Sequence, residues 1–182
     1  MYNTDFFAHF GNDRNFILVD PVLGDHVELY TGMTPNMVKG MRQLCTKAKV
    51  ITPNLTEAAL LLDKEPGSAT TCKETVNWCR SLSDLGPDYV IITSAPSGTA
   101  KKVATIAYNR KDGRTWRVSS DYVAATYPGT GDAFAIVITG CLLNDDSLPE
   151  ALERAVHFIN MAIKATFGYD HTPLDGMNQE KV

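Results

Sequence analysis

Short apolar runs, each stopped by polar or proline residues and each followed by a helical pattern, constrain this chain most. Phe16-Ile17-Leu18-Val19 ends at Asp20-Pro21, Val50-Ile51-Thr52 ends at Pro53, and Tyr89-Val90-Ile91-Ile92 is almost wholly apolar. A run without polar alternation suits a strand covered on both faces, the situation of a parallel sheet. Helix signals lie between the runs. Thr34 is a good N-cap with Pro35 behind it, which predicts a helix over Thr34 to Ala48. Leu55 to Leu62 is rich in helix formers, and Thr71 to Leu85 carries the stripe Val76, Cys79, Leu82, Leu85. Strand, helix, strand, helix, strand predicts a parallel sheet with crossover helices, in one α/β domain over residues 1–182.

The pattern then changes. Val103 to Tyr108 and Thr115 to Ser119 flank a polar stretch containing Asp112-Gly113, which predicts a β-hairpin. Two helices follow, over Thr130 to Leu143 and Leu148 to Phe167, the second behind Ser147 as cap with Pro149 in its first turn. The tail from Gly168 is polar and reads as loop with a short last helical turn. Phe6, Phe7 and Phe10 form an apolar cluster near the start, suited to a helix remnant docked on the core or to an exposed patch.

Composition narrows the function classes. Basic residues number 17 and acidic residues 21, a net charge of −4, which argues against a nucleic-acid partner. The longest nearly apolar stretch, Ala133 to Leu143, is far short of the roughly 20 residues that span a bilayer, so no membrane association is expected. The first residues lack a basic region followed by an apolar one, so no signal peptide is expected. Cys45, Cys72, Cys79 and Cys141 form no C-x-x-C pair and read as reduced thiols of a cytoplasmic protein. The four histidines show no ligand spacing. Trp78 and Trp116 read as packing residues, and Lys101-Lys102 and Arg110-Lys111 as solvated loop charges.

Ligands of open parallel sheets bind beyond the carboxyl ends of the strands. Here those ends carry Asp20 and Asp25, then Thr52, Asn54 and Glu57, then Thr93 and Ser94. Singly, Asp20 or Asn54 can be a loop cap and Glu57 a first-turn helix acid. Together at successive strand ends they suit a hard cation such as Mg²⁺ and its phosphate ligands. Pro128-Gly129-Thr130-Gly131-Asp132 leads directly into a helix, whose free N–H groups and dipole make an anion site. Asp132 in that first turn is placed to take a proton from a hydroxyl attacking a phosphoryl group.

These four segments, Asp20-Pro21-Val22-Leu23-Gly24-Asp25, Ile51 to Ala58, Val90 to Ser94 and Gly129 to Asp132, together resemble the pyridoxal/pyridoxamine kinases of the ribokinase-like superfamily in order and spacing. The resemblance implies a three-layer α/β fold with a mostly parallel sheet and a β-hairpin. It implies ATP-dependent phosphorylation of the 5′-hydroxymethyl group of a B6 vitamer, with Asp132 as base and substrate contact. Gly129, Thr130 and Gly131 would form the anion hole. Asp20, Thr52, Asn54, Glu57, Thr93 and Ser94 would contact ATP, Asp20, Asp25 and Glu57 would organise Mg²⁺, directly or through water, and Thr52 and Thr93 would lie near K⁺. The hairpin and Ser119 to Tyr127 would surround the nucleotide. Relatives form dimers, so a homodimer is the implied assembly. Family members begin with an N-terminal third, carrying strands and most of the vitamer pocket, that has no counterpart here. A truncated chain, a chain completed by a partner, and a form that binds nucleotide without turnover all fit that departure. So do the sister hydroxymethylpyrimidine kinases or another ribokinase-like kinase.

Overall fold

A computed structural model describes residues 9, 15–124 and 127–167. Seven strands and five helices alternate along them. They are β1 (Leu18–Val19), β2 (Gly24–Asp25), β3 (Glu28–Leu29), α1 (Pro35–Cys45), β4 (Val50–Ile51), α2 (Leu55–Leu61), α3 (Cys72–Ser83), β5 (Tyr89–Pro96), β6 (Lys102–Asn109), β7 (Thr115–Asp121), α4 (Thr130–Leu143) and α5 (Leu148–Thr166). The main sheet has the order β1-β4-β5-β6-β7. β1, β4 and β5 are parallel, and β6 and β7 continue the sheet as an antiparallel hairpin.

The apolar runs explain the layering. Successive side chains of a strand point to opposite faces. Ile51, Val90, Ile92 and Ile106 therefore pack with Val38 of α1, Ala58 and Leu61 of α2, and Cys79 and Leu82 of α3. Val50, Ile91 and Ala107 point the other way and pack with Phe134 and Ile138 of α4 and Leu152 and Ala155 of α5. Helices thus cover both faces of the sheet, giving the three layers that the resemblance implies. All four cysteines are free thiols, three of them buried.

Local chemistry sets the helix starts. The Thr34 hydroxyl caps α1 by accepting the Met37 N–H, and Pro35 occupies the first turn. Thr71 and Glu74 cap α3 reciprocally, and at the start of α5 the Ser147 N–H and hydroxyl both donate to Glu150 Oε2. The ends are less faithful to the sequence reading: α1 stops at Cys45, three residues before Ala48. The largest departure is β5. It runs on past Ile92 to Pro96 and pairs antiparallel with β6, with a register shift between Ile92 and Ala95. Lys102 correspondingly opens β6 rather than lying in a loop. Phe6, Phe7, Phe10 and the tail from Gly168 lie outside the described residues.

The small β2–β3 hairpin turns through His26 and Val27, which have φ of 51° and 72°. Positive φ at both central positions is the pattern of a type I′ turn, whose preferred residues are Asn and Gly. A β-branched residue there is strained. Left-handed geometry costs roughly 1–2 kcal/mol for a non-glycine residue, against about 1 kcal/mol of extra chain entropy for glycine. Val27→Gly is therefore expected to raise the thermal midpoint by about 2 °C in a circular-dichroism melt, and a lowered midpoint would show that Val27 is not strained.

Candidate nucleotide and phosphoryl-transfer site

The carboxyl ends of β1, β4 and β5 open onto a cavity of about 570 Å³, roofed by the start of α4. Its lining includes Asp20, Asp25, Thr52, Asn54, Glu57, Thr93, Ser94 and the run Gly129 to Asp132. Every residue singled out from the strand ends and the Gly129–Asp132 segment thus borders one space.

The acidic rim is built by backbone hydrogen bonds. Asn54 caps α2, its Oδ1 accepting the Glu57 N–H at 2.9 Å while Glu57 Oε2 accepts the Asn54 N–H at 2.9 Å. Glu57 Oε1 reaches across to accept the Leu23 N–H at 3.0 Å, and Asn54 Nδ2 donates to the Gly24 carbonyl at 2.8 Å. A helix cap therefore also holds the segment between β1 and β2. Gly24 is required there, because a Cβ would overlap the Glu28 carbonyl oxygen. Thr52 Oγ1 donates to Asp20 Oδ1 at 2.7 Å and fixes that carboxylate at the end of β1.

The opposite wall is the α4 N-terminus. Gly129 takes a φ of 87° as its N-cap, and no side chain caps the helix. The first amides of an α-helix have no intrahelical partner, so these are available to an anion. A Cβ at Gly131 would lie 3.3 Å from Asp20 Oδ2, so glycine lets the helix start approach the β1 rim. Asp132 sits in the first turn, close enough that its charge acts on Asp20.

Thr93 and Ser94 reach the cavity through the irregularity in β5. The register shift after Ile92 and the left-handed Ser94, at φ 58°, are the marks of a β-bulge, which re-aims side chains at a strand's functional end. The far side is less polar: Val103, Val123, Phe134, Val156, Ile159 and Ile163 come from β6, the β7–α4 connection, α4 and α5. Ser120, Asp121, Tyr122 and Tyr127 also line the space, in the segment expected around the nucleotide. Trp116 does not; it is half-buried against the α4–α5 side of the core. Lys101, Lys102, Arg110 and Lys111 are not among the lining residues either; Lys111 pairs with Asp88 at 3.2 Å.

Sequence reasoning missed Thr56, whose Oγ1 accepts the Val27 N–H at 3.0 Å, and the cavity face of α5, including Asn160. The stripe Val156, Ile159, Ile163 was visible at helical spacing. Spacing alone does not say whether a stripe faces a core or a cavity.

No group of three or more His, Cys, Asp or Glu among the described residues converges to hold a metal by itself. Oxygen donors on one or two carboxylates still fit Mg²⁺, which keeps waters and substrate phosphates in its shell rather than filling a protein cage. Asp20 and Asp25 are such donors. Both Glu57 oxygens already accept backbone N–H groups, which suits it to act on a cation through water.

Burial pushes the Glu57 carboxyl up to about 7, with the N–H groups of Asn54 and Leu23 pulling it down and the Asp20 charge adding to the rise. Asp20 is raised by burial, opposed by the Thr52 hydrogen bond and reinforced by Asp132. Burial also raises the Tyr30 phenol, helped by the charges of Asp25, Glu57 and Asp20, so it remains a hydrogen-bond donor at the rim.

The chain is similar to known proteins over most of its length. The family described as phosphomethylpyrimidine kinase matches residues 7–175, and the chain belongs to that family. It is 31% identical over 157 residues to the pyridoxine kinase of Bacillus subtilis (strain 168), covering 83% of this chain and 55% of that protein. It aligns with the crystal structure of pyridoxal kinase from Lactobacillus plantarum at a TM-score of 0.80 and 30% identity, covering 92% of this chain and 59% of that one. A candidate phosphomethylpyrimidine kinase from Bacteroides thetaiotaomicron VPI-5482, crystallised with pyridoxal, aligns at a TM-score of 0.91 and 49% identity, covering 97% of this chain and 62% of that one. The chain thus spans about half the length of the curated relatives it matches. Among the described residues no helix is long and apolar enough to cross a membrane.

The raised Glu57 carboxyl sets a pH dependence for the metal-free protein. Between the ordinary value of 4.5 and about 7, the folded state keeps a proton that the unfolded chain has released. Stability therefore falls as pH rises through that window, by on the order of 3 kcal/mol in total; the raised Asp20 adds a slope of the same sign. Urea unfolding between pH 4.5 and 8 should show this fall. Glu57→Gln should flatten most of it, although it weakens the latch; an unchanged slope would assign the proton elsewhere.

Proposed function

We propose that this chain provides the nucleotide-binding and phosphoryl-transfer part of a B6-vitamer kinase. One observation carries the reading: the uncapped start of α4, with Asp132 in its first turn, lies against Asp20 at the edge of a cavity that the capping pair Asn54 and Glu57 also line. That arrangement supports reading the α4 start as a phosphate cradle, the strand-end carboxylates as cation ligands and Asp132 as a proton acceptor. Relatives support the substrate pair, since a structural neighbour is described as bound to pyridoxal and others are pyridoxine or pyridoxal kinases.

The chemistry follows from charge. ATP would lie with its base toward the apolar side formed by Val103, Val123, Ile159 and Ile163, and its terminal phosphates toward Gly129, Thr130 and Gly131. The amides there stabilise charge building on the transferring phosphoryl oxygens. Asp20 and Asp25 would hold Mg²⁺, which neutralises phosphate charge when bound, and Thr52 and Thr93 offer oxygens for K⁺. Asn54, Glu57 and Ser94 line the same phosphate end. Asp132 accepts the proton of the 5′-hydroxyl as that oxygen attacks the terminal phosphorus and ADP leaves. Most of the rate comes from positioning, so the rim must be rigid before substrate arrives.

Titration calorimetry with Mg-ADP is the first test, and absence of heat from the folded chain would overturn the reading. Mixing the chain with Mg-ATP and pyridoxal then tests transfer, read as the phosphorylated vitamer. Asp132→Asn should lower that rate at least about 100-fold, the usual contribution of a general base, while leaving Mg-ADP affinity within a factor of about two. Equal turnover in the variant would mean a different base. Binding without turnover would instead identify a nucleotide-binding chain.

A further inference from the structure

The His26–Val27 turn is held against its own preference. Both residues have positive φ, and the side chain at 27 is β-branched. Strain of this kind persists only where surrounding contacts over-determine it. The contact at Val27 is Thr56, which is buried at 6% exposure and accepts the Val27 N–H at 3.0 Å. On the other side of the turn, the His26 N–H donates to Asp25 Oδ1 at 2.8 Å. The turn therefore links the α2 N-terminus to one oxygen of a cavity carboxylate.

We propose that Thr56 is a positioning residue for Asp25: by holding the Val27 amide it fixes the left-handed turn whose His26 amide orients the Asp25 carboxylate toward a phosphate-bound cation. This rests on the reading of the cavity as a Mg-nucleotide site and goes beyond it, because Thr56 itself is not among the cavity-lining residues. The Asn54 and Glu57 bonds anchor Gly24 and Leu23, on the near side of Asp25. On the far side the Thr56 bond holds the turn itself, alongside the β2–β3 pairing, so Asp25 is held from both directions. Without the Thr56 oxygen, the turn can relax toward negative φ, and the His26 amide then leaves the carboxylate.

Thr56→Val preserves the side-chain shape and removes the acceptor, while Thr56→Ser keeps the hydroxyl. Two readouts follow. Amide hydrogen exchange should show the Val27 N–H protected in the wild type and in Thr56→Ser, and unprotected in Thr56→Val. Calorimetry should give the ratio of ADP affinity with Mg²⁺ to that without it. The ratio should fall about tenfold in Thr56→Val, the scale of one lost hydrogen bond, and return to within about twofold of wild type in Thr56→Ser. A general loss of stability would lower both affinities and leave their ratio alone. Should Thr56→Val keep the wild-type ratio, or Thr56→Ser fail to restore it, the inference is overturned while the site reading stands. Should the wild-type chain bind ADP no better with Mg²⁺, the site reading and this inference are overturned together.

Discussion

Everything at the cavity depends on how Glu57 is held. A carboxylate at 5% exposure is costly to bury unless its oxygens are satisfied. Here each accepts a backbone N–H, one from its own helix cap and one from Leu23, remote in sequence. The second bond converts an ordinary capping box into a clasp between α2 and the β1–β2 segment. Asp20 and Asp25 both lie on that segment. Loss of the clasp would free the loop that carries two of the cavity's carboxylates.

The clasp also explains why glycines sit where they do. Gly24 lets the β2–β3 hairpin close beneath it, and Gly131 lets the α4 start come within contact of Asp20. One builds the acidic rim and the other brings the uncapped start of α4 against it. Repulsion between Asp20 and Asp132 is the electrostatic cost of this arrangement, and it is relieved when positive charge enters between them.

Much of this was readable from the sequence because its causes are local. Thr34 before Pro35, Thr71 three residues before Glu74, and Ser147 three residues before Glu150 specify helix starts through contacts within a few residues. Asn54 and Glu57 read as candidate site residues, and the same spacing is a capping box; the structure shows the capping box, with both residues lining the cavity. What was illegible depends on distant pairing. The continuation of β5 to Pro96 is set by β6, and the cavity face of α5 by the hairpin folded beside it. The β2–β3 hairpin escaped notice because His26-Val27 breaks the residue preference by which such turns are found.

The bulge in β5 has a wider consequence. It lies between two core residues, Ile92 and Ala95, and turns Thr93 and Ser94 to the cavity while the strand on either side stays packed. Exchanges at the half-buried Thr93 can therefore alter the cavity wall without forcing the core to repack, whereas Ser94, at φ 58°, tolerates few side chains without strain. Such a division between a conservative frame and an adjustable wall is what would let one architecture vary what its strand ends hold.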